Sequence, residues 1–176
     1  VCDLTLDPNT VNTQLILSEG NRKVTHVEEH QSYPDHPERF DVCYSQVLCR
    51  ESLTGRCYWE TQWSGDGADI SVSYKGISRK GESRDCLFGL NENSWSLNCS
   101  DGKFTVWYND NITDIRPPSP LSNRVGVYLD CPAGTLSFYS VSDTHTLTHL
   151  HTLNATFTQP LYAGFAVDYN SSVSLC

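Results

Sequence analysis

Apolar and polar residues alternate with a period of two along much of the chain. Successive side chains of a β-strand point to opposite faces of the sheet, so each alternating run has one face to bury. No window of ten or more residues has the i, i+3, i+4, i+7 apolar spacing of an amphipathic helix, and we expect no long helix. The alternation predicts strands over residues 2–6, 59–63, 70–74, 104–108, 125–129 and 136–139.

Residues typical of turns separate these runs. The segments 64–67, 100–102 and 133–134 contain glycines, which tolerate positive φ, and the prolines of 117–120 interrupt strand pairing. Many short strands with frequent turns are typical of a sandwich or barrel. We therefore predict an all-β fold, a two-sheet antiparallel β-sandwich, with at most a short helical turn near 52–53 or 120–123.

A polar stretch over residues 27–46 breaks the alternation. It contains Pro34 and Pro37, several charges and three aromatic residues, Tyr33, Phe40 and Tyr44. Loops of this length in compact domains are usually functional or disordered. Because aromatic side chains are interleaved with the charges, we interpret the stretch as a long ordered loop.

Length and charge limit the function classes. The chain has 176 residues, enough for one domain with a full core, and a formal net charge of −9. Nucleic acid and anionic membranes repel such a chain on average, so we expect neither as a partner, and no membrane insertion. The densest basic cluster is Arg79, Lys80 and Arg84, which we interpret as part of a solvated loop. Since the chain contains no Met, we expect it to be a piece of a longer protein.

The eight cysteines are irregularly spaced and form no C-x-x-C pair. We interpret them as mostly reduced, buried thiols that act as small apolar residues, with one or two disulfides as the alternative. Four N-x-S/T triplets occur, at Asn98, Asn111, Asn154 and Asn170, and matter only if the parent protein is secreted.

No catalytic signature is present. The chain contains no G-x-S-x-G elbow, no phosphate-binding glycine loop and no H-E-x-x-H helix motif. The even spacing of His145, His149 and His151 would place them on one strand face, where three ligands could hold zinc. The threonines around them favour an exposed polar strand face instead. We expect a domain that is not an enzyme and holds no cofactor or metal.

Several separated motifs form one recognisable set. The first half contains L-D-P-N-T at 6–10 and P-D-H-P-E-R-F-D at 34–41. The second half contains L-T-G-R-C-Y-W-E at 53–60, V-G-V-Y-L-D at 125–130 and A-G-T-L-S-F-Y at 133–139. Together they resemble the PRY–SPRY (B30.2) domain family. The resemblance implies a PRY segment, 1–57, and a SPRY segment, 58–176, that form one compact domain.

The resemblance also implies a function. Such domains are modules that bind a protein or peptide through surface loops, as at the C-terminus of tripartite-motif E3 ubiquitin ligases and of NLR-like immune receptors of fish. We therefore expect a monomeric target-recognition domain of a cytoplasmic innate-immune protein. The alternative is the C-terminal domain of a secreted stonefish-type pore-forming toxin subunit.

Carried over residue by residue, the ligand surface of the family falls on a few positions. Trp107 is the first choice, since its parity is opposite to that of Phe104 and Val106, so that it faces outward if they face the core. An exposed Trp beside a turn suits a binding hot spot, and packing against a covering loop is the alternative. Phe40 and Tyr44 also suit a role as loop anchors. The full set of predicted partner-binding residues is Trp107, Asn109, Tyr74, Lys75, Phe165, Tyr33 and Tyr44.

Overall fold

A computed structural model describes residues 1–41 and 44–176 of the chain. Within these ranges the regular structure is β apart from one 3-10 turn, Arg84–Cys86. The strands are β1 (Leu15–Ser18), β2 (Lys23–His26), β3 (Gln46–Leu48), β4 (Arg56–Ser64), β5 (Gly67–Tyr74), β6 (Ser94–Ser100), β7 (Lys103–Tyr108), β8 (Asn111–Ile115), β9 (Arg124–Asp130), β10 (Thr135–Val141), β11 (Leu147–Asn154), β12 (Leu161–Val167) and β13 (Ser172–Leu175).

The strands form two antiparallel sheets. One is seven-stranded, in the order β1-β2-β13-β4-β9-β10-β11, and the other is six-stranded, in the order β3-β12-β5-β6-β7-β8. The N-terminal strands enter both sheets, because β2 pairs with β13 whereas β3 pairs with β12. This architecture confirms the prediction of an antiparallel β-sandwich.

The inner faces of the two sheets bury the apolar half of each alternating run. In β4, for example, Trp59 and Trp63 are buried while Glu60 and Gln62 are not. Buried aromatic side chains of this size each remove roughly 150–250 Å² from water, which makes them large contributors to stability. Gly126 on β9 has a packing reason, because a Cβ there would collide with the hydroxyl of Tyr58 on β4.

Three expectations about local structure are wrong. Residues 2–6 form no strand beyond a bridge from Leu6 to Cys49, although Leu4 and Leu6 are buried as their alternation requires. The alternating runs covered β4, β5, β7, β9 and β10 and missed the other eight strands of the described residues, among them β6, whose inward side chains include Trp95 and Leu97. The one 3-10 turn lies at Arg84–Cys86, because the Ser83 hydroxyl caps the backbone N–H of Asp85, rather than at 52–53 or 120–123.

The cysteines divide into two groups. Cys2 and Cys57 form a disulfide, so the reduced-thiol interpretation is wrong for this pair. Five cysteines of the described residues are free, and Cys43 lies outside those residues. Cys49, Cys86 and Cys99 are buried, and burial raises the pKa of each thiol, so they act as small apolar residues.

Buried and half-buried side chains hold the loop that precedes β3. The Tyr33 hydroxyl donates to the carbonyl of Leu15 at 2.7 Å, and the Phe40 ring is buried. The Arg39 guanidinium donates to the carbonyls of Pro8 and Val11 at 2.9 and 2.8 Å. These contacts explain why the described part of a long polar loop is ordered, as the aromatic residues indicated.

Arg79 joins this loop to the segment after β5. Its side chain is only 9% exposed, and its guanidinium lies 5.0 Å from the Phe40 ring. It donates to the carbonyl oxygens of Ile77 at 3.1 Å, Glu38 at 2.5 Å and Lys75 at 2.7 Å. The interpretation of Arg79 as part of a solvated loop is therefore wrong.

We expect Arg79→Ala to lower the free energy of unfolding by about 2–4 kcal/mol, because three carbonyls lose a charged donor and Phe40 loses the cation over its ring. Lys80→Ala, at the exposed neighbouring position, should change it by less than about 0.5 kcal/mol. Urea denaturation of the three proteins measures the difference. Equal stabilities for the two variants would show that Arg79 is not an anchor.

Candidate functional site

The segment between β5 and β6, residues 75–93, lies across the outer face of the six-stranded sheet. We call it the covering segment. Its Ile77 and Phe88 form a buried apolar cluster with Phe40 and Leu48, separate from the core between the sheets. Phe88 fits over Gly164 on β12, where a Cβ would lie 2.8 Å from the Phe88 ring. The segment therefore packs on the sheet as a layer of its own.

Polar side chains fix the covering segment in place. The Gln46 side-chain amide donates to the carbonyl of Cys86 at 2.6 Å and accepts from the N–H of Phe88 at 2.9 Å. The Asn91 side chain donates to the carbonyls of Leu87 and Arg84 at 2.8 and 3.0 Å. Backbone groups that would otherwise be buried without partners are thus satisfied.

Trp107 lies at the edge of the layer that the covering segment forms on the sheet. The segment approaches so closely that a Cβ on Gly89 would lie 2.7 Å from the Trp107 Cβ and 2.9 Å from the Ser96 Cβ. Gly89 also has φ of +85°, which a glycine adopts most readily. One cross-strand row runs over this face and consists of Leu48, Gly164, Ser71, Ser96, Trp107 and Ile112.

The first part of that row is covered and the last part is open. Ser71 and Ser96 are buried, Trp107 is half-buried, and Ile112 on the edge strand β8 is 57% exposed. The opening is a small cleft of about 260 Å³, here called the Trp107 cleft. Its lining residues are Arg84, Leu90, Trp107, Asn109, Asp110 and Ile112.

Arg84 holds one wall of the Trp107 cleft. Its guanidinium pairs with the Asp110 carboxylate at 2.6 Å and donates to the carbonyls of Leu90 and Asn109 at 2.8 and 3.1 Å. The 109–110 turn, where Asn109 has φ of +53°, is thereby tied to the covering segment. The cleft combines an apolar floor with a fixed polar rim.

A second cleft lies on the same sheet face, two residues further along the strands. Its floor includes Asp69 on β5, and Leu87 of the covering segment forms one wall. Tyr44, His26, Asp168 and Tyr169 surround it, and we call it the Tyr44 cleft. Tyr169 is 58% exposed and contacts His26 edge to face, with ring centroids 5.8 Å apart.

The Tyr44 cleft is acidic. Burial raises the pKa of Asp69 to about 7; the hydrogen bond from Asn98, at 2.5 Å, opposes this rise, and the nearby charge of Asp168 adds to it. Burial and the charge of Asp66 raise the pKa of Asp168. Desolvation lowers the pKa of His26 despite the neighbouring carboxylates, which favours a neutral imidazole.

The structure places five of the seven predicted site residues at least partly at the surface. Trp107 faces outward as its parity predicts, and Asn109 is exposed beside it. Tyr44 lines the second cleft, and its hydroxyl donates to the carbonyl of Glu82. Lys75 is exposed, and its ammonium group pairs with the Glu38 carboxylate at 3.3 Å. Tyr33 is half-buried in the loop that precedes β3.

Phe165 and Tyr74 are corrections. Phe165 on β12 is 0% exposed, and Tyr74 at the end of β5 is 7% exposed, since both share the parity of inward-facing neighbours. The Tyr74 hydroxyl accepts from the N–H of Thr158 at 3.1 Å, and its ring packs on Trp95. Neither side chain is available to a partner, because both belong to the core between the sheets.

Sequence reasoning missed Ile112, Leu90, Asp69 and Tyr169. Outward parity on β5 was the available signal for Asp69, which alternates with the buried Ala68 and Ile70. Alternation gave no such signal for Ile112, because Ile112 and Ile115 have opposite parity on β8. Leu90 and Tyr169 lie outside the strands, where alternation gives no orientation.

The three histidines do not converge. His145 occupies the turn before β11 with φ of +63°, and β11 carries an irregularity in register between His149 and His151. Over the described ranges, no group of three or more His, Cys, Asp or Glu side chains is arranged to hold a metal ion.

Comparison with known proteins identifies the family. The model of the SPRY domain matches residues 56–176, and that of the PRY, or SPRY-associated, domain matches residues 4–53. The chain belongs to the PRY–SPRY family. SPRY domains are non-catalytic interaction folds that generally bind proteins. The boundary at residue 57 stays a prediction.

Individual relatives belong to two kinds of protein. Neoverrucotoxin subunit alpha of Synanceia verrucosa is 41% identical over 96% of this PRY–SPRY chain and 24% of its own length. Tripartite motif-containing protein 16 of Mus musculus is 41% identical over 93% of the chain and 29% of its own length. The crystal structure of the TRIM65 PSpry domain superposes with a TM-score of 0.88 at 28% identity, covering 99% of the chain and 90% of that domain.

The PRY–SPRY chain spans about a quarter of the length of the relatives it matches. In the part of the chain that the structure describes, no helix is long and apolar enough to cross a membrane.

Gly89→Ala tests whether the covering segment positions Trp107. We expect it to lower the free energy of unfolding by about 2 kcal/mol or more, because the new Cβ meets Trp107 and Ser96 and the backbone has positive φ. Acrylamide quenching should show a changed exposure of the half-buried indole. Gly76→Ala is the control, since open space surrounds Gly76, and it should preserve the quenching. Unchanged quenching in both variants would contradict the proposed close approach.

Asp69→Asn should change how stability depends on pH. The folded-state pKa of Asp69 lies above its unfolded value, so the folded state binds more protons between about pH 4 and 7 and loses stability as the pH rises. From pH 5 to pH 8, the free energy of unfolding of the variant should therefore increase by at least about 1 kcal/mol relative to that of wild type. Urea denaturation at both pH values measures this gain. Asp143→Asn, which removes the same charge at an exposed turn, is the control; an equal gain in both variants would contradict the prediction.

Proposed function

We propose that this PRY–SPRY domain recognises a protein or peptide through the Trp107 cleft. One observation carries the proposal: a half-exposed Trp on β7 lies beside an exposed Ile112 on the edge strand and forms an apolar cleft with a polar rim. Trp, Tyr and Arg dominate the energetics of protein interfaces, where they fill well-packed pockets near the centre.

Preorganisation supports this function. Gly89 and Ser96 hold the Cβ of Trp107 from one side, and the Arg84–Asp110 pair fixes the rim. A side chain already held in its binding geometry loses less conformational entropy when a partner docks, so more of the contact energy appears as affinity. The exposed Asn109 offers an unburied amide at the edge of the cleft.

For the whole protein, we propose a target-recognition role at the C-terminus of a cytoplasmic innate-immune protein, such as a tripartite-motif E3 ubiquitin ligase or an NLR-like receptor of fish. The similarity to tripartite motif-containing protein 16 supports this placement. The equal identity to neoverrucotoxin subunit alpha supports the second candidate, the C-terminal domain of a secreted toxin subunit. The coding sequence of the full chain distinguishes them: RING, B-box, coiled-coil or nucleotide-binding segments favour the first, and a large lytic domain the second.

Trp107→Ala tests the binding surface. Immobilised wild-type domain and variants are incubated with extract of the organism that encodes the chain, and retained proteins are quantified by mass spectrometry. We expect the retained partner to bind Trp107→Ala at least about tenfold more weakly, since truncating a hot-spot aromatic residue costs more than about 1.4 kcal/mol.

Leu147→Ala is the matched control for that experiment. Leu147 is exposed on β11, at an edge of the other sheet, so its truncation removes apolar surface without touching the cleft. Retention should match wild type. A partner that binds Trp107→Ala and wild type equally would place the interface elsewhere.

A further inference from the structure

We propose that the Tyr44 cleft binds a cationic side chain, arginine or lysine, of the protein partner. The inference rests on the proposed protein-binding function and adds the chemistry of a second contact. Both clefts open on the outer face of the six-stranded sheet, with the covering segment contributing Leu87 to one and Leu90 to the other. The two clefts therefore lie on one face, where a single partner can contact both.

The walls of the Tyr44 cleft suit an organic cation. Tyr44 and the largely exposed Tyr169 line it, and aromatic faces attract ammonium and guanidinium groups. Leu87 and Ala166 add apolar surface for the aliphatic stem of a long basic side chain. Neither Lys nor Arg occurs among the lining residues.

Among the described residues, no basic side chain forms an ion pair with the carboxyl groups of Asp69 and Asp168. The four ion pairs among the described residues involve acidic residues outside the cleft, namely Glu38, Glu60, Asp110 and Asp130. Asp69 accepts one hydrogen bond, from the neutral amide of Asn98, and none is donated to the Asp168 side chain within residues 1–41 and 44–176. Uncompensated carboxylates this close repel one another, and a bound cation relieves that repulsion.

His26 provides an independent observation. Its Nδ1 atom is buried and has no hydrogen-bond partner among the described residues, which is costly for a polar atom. Since no metal-binding group of side chains exists in the described ranges, an organic cation fits the cleft better than a metal ion.

The test uses a short peptide, acetyl-Gly-Arg-Gly-amide, titrated into the 15N-labelled domain. We expect saturable shifts of the Ala166, Asp168 and Tyr169 amides, with a Kd of about 10 mM, since an exposed charged contact contributes little and the stem and aromatic contacts supply the rest. The peptide with citrulline in place of arginine has almost the same shape without the charge. It should bind at least about fivefold more weakly.

Two variants of equal charge complete the experiment. Asp168→Asn should weaken arginine-peptide binding at least about threefold, whereas Asp143→Asn, at an exposed turn away from the cleft, should leave it unchanged. Equal binding of the arginine and citrulline peptides, shifts confined to the Trp107 indole, or equal weakening by both variants would each overturn the proposal. None of these results alters partner capture through Trp107, which the Trp107→Ala comparison measures separately.

Discussion

The burial of Phe88 against Phe40, Leu48 and Ile77 is the contact on which the surface of this domain depends. An antiparallel sheet commonly leaves one face to solvent, yet here a second, smaller apolar cluster attaches a layer of loop to that face. The edges of this layer form the walls of both clefts. The binding surface is therefore shaped by how far the covering segment extends, and not by the sheet alone.

Charged side chains stabilise this layer by pairing with backbone carbonyls. Arg39 and Arg79 are both buried, and their guanidinium groups satisfy carbonyl oxygens of irregular segments that have no strand partner. Because Arg has five donors in a fixed plane, one side chain can join several turns of chain. The loops thus gain rigidity from a few residues, which suits a surface that must hold its shape to recognise a partner.

Parity explains both the success and the failure of the sequence predictions. Counting from Phe104 and Val106 predicts that Trp107 faces outward, and it does. Family position alone suggests a surface role for Phe165, whereas Ala163 and Val167 share its parity and are buried with it. The Tyr44 cleft could not be predicted this way, because its lining residues come from segments far apart in sequence that meet only after both sheets form.

Different residues determine the fold and the choice of partner in this domain. The motifs at 53–60 and 125–130 contribute to the core, as the burial of Trp59, Val127 and Leu129 shows. The clefts lie outside that core, and their charge depends on side chains such as Asp168 that packing does not constrain. Any partner that contacts both clefts must cross the covering segment, so its apolar and basic groups need a spacing set by that loop.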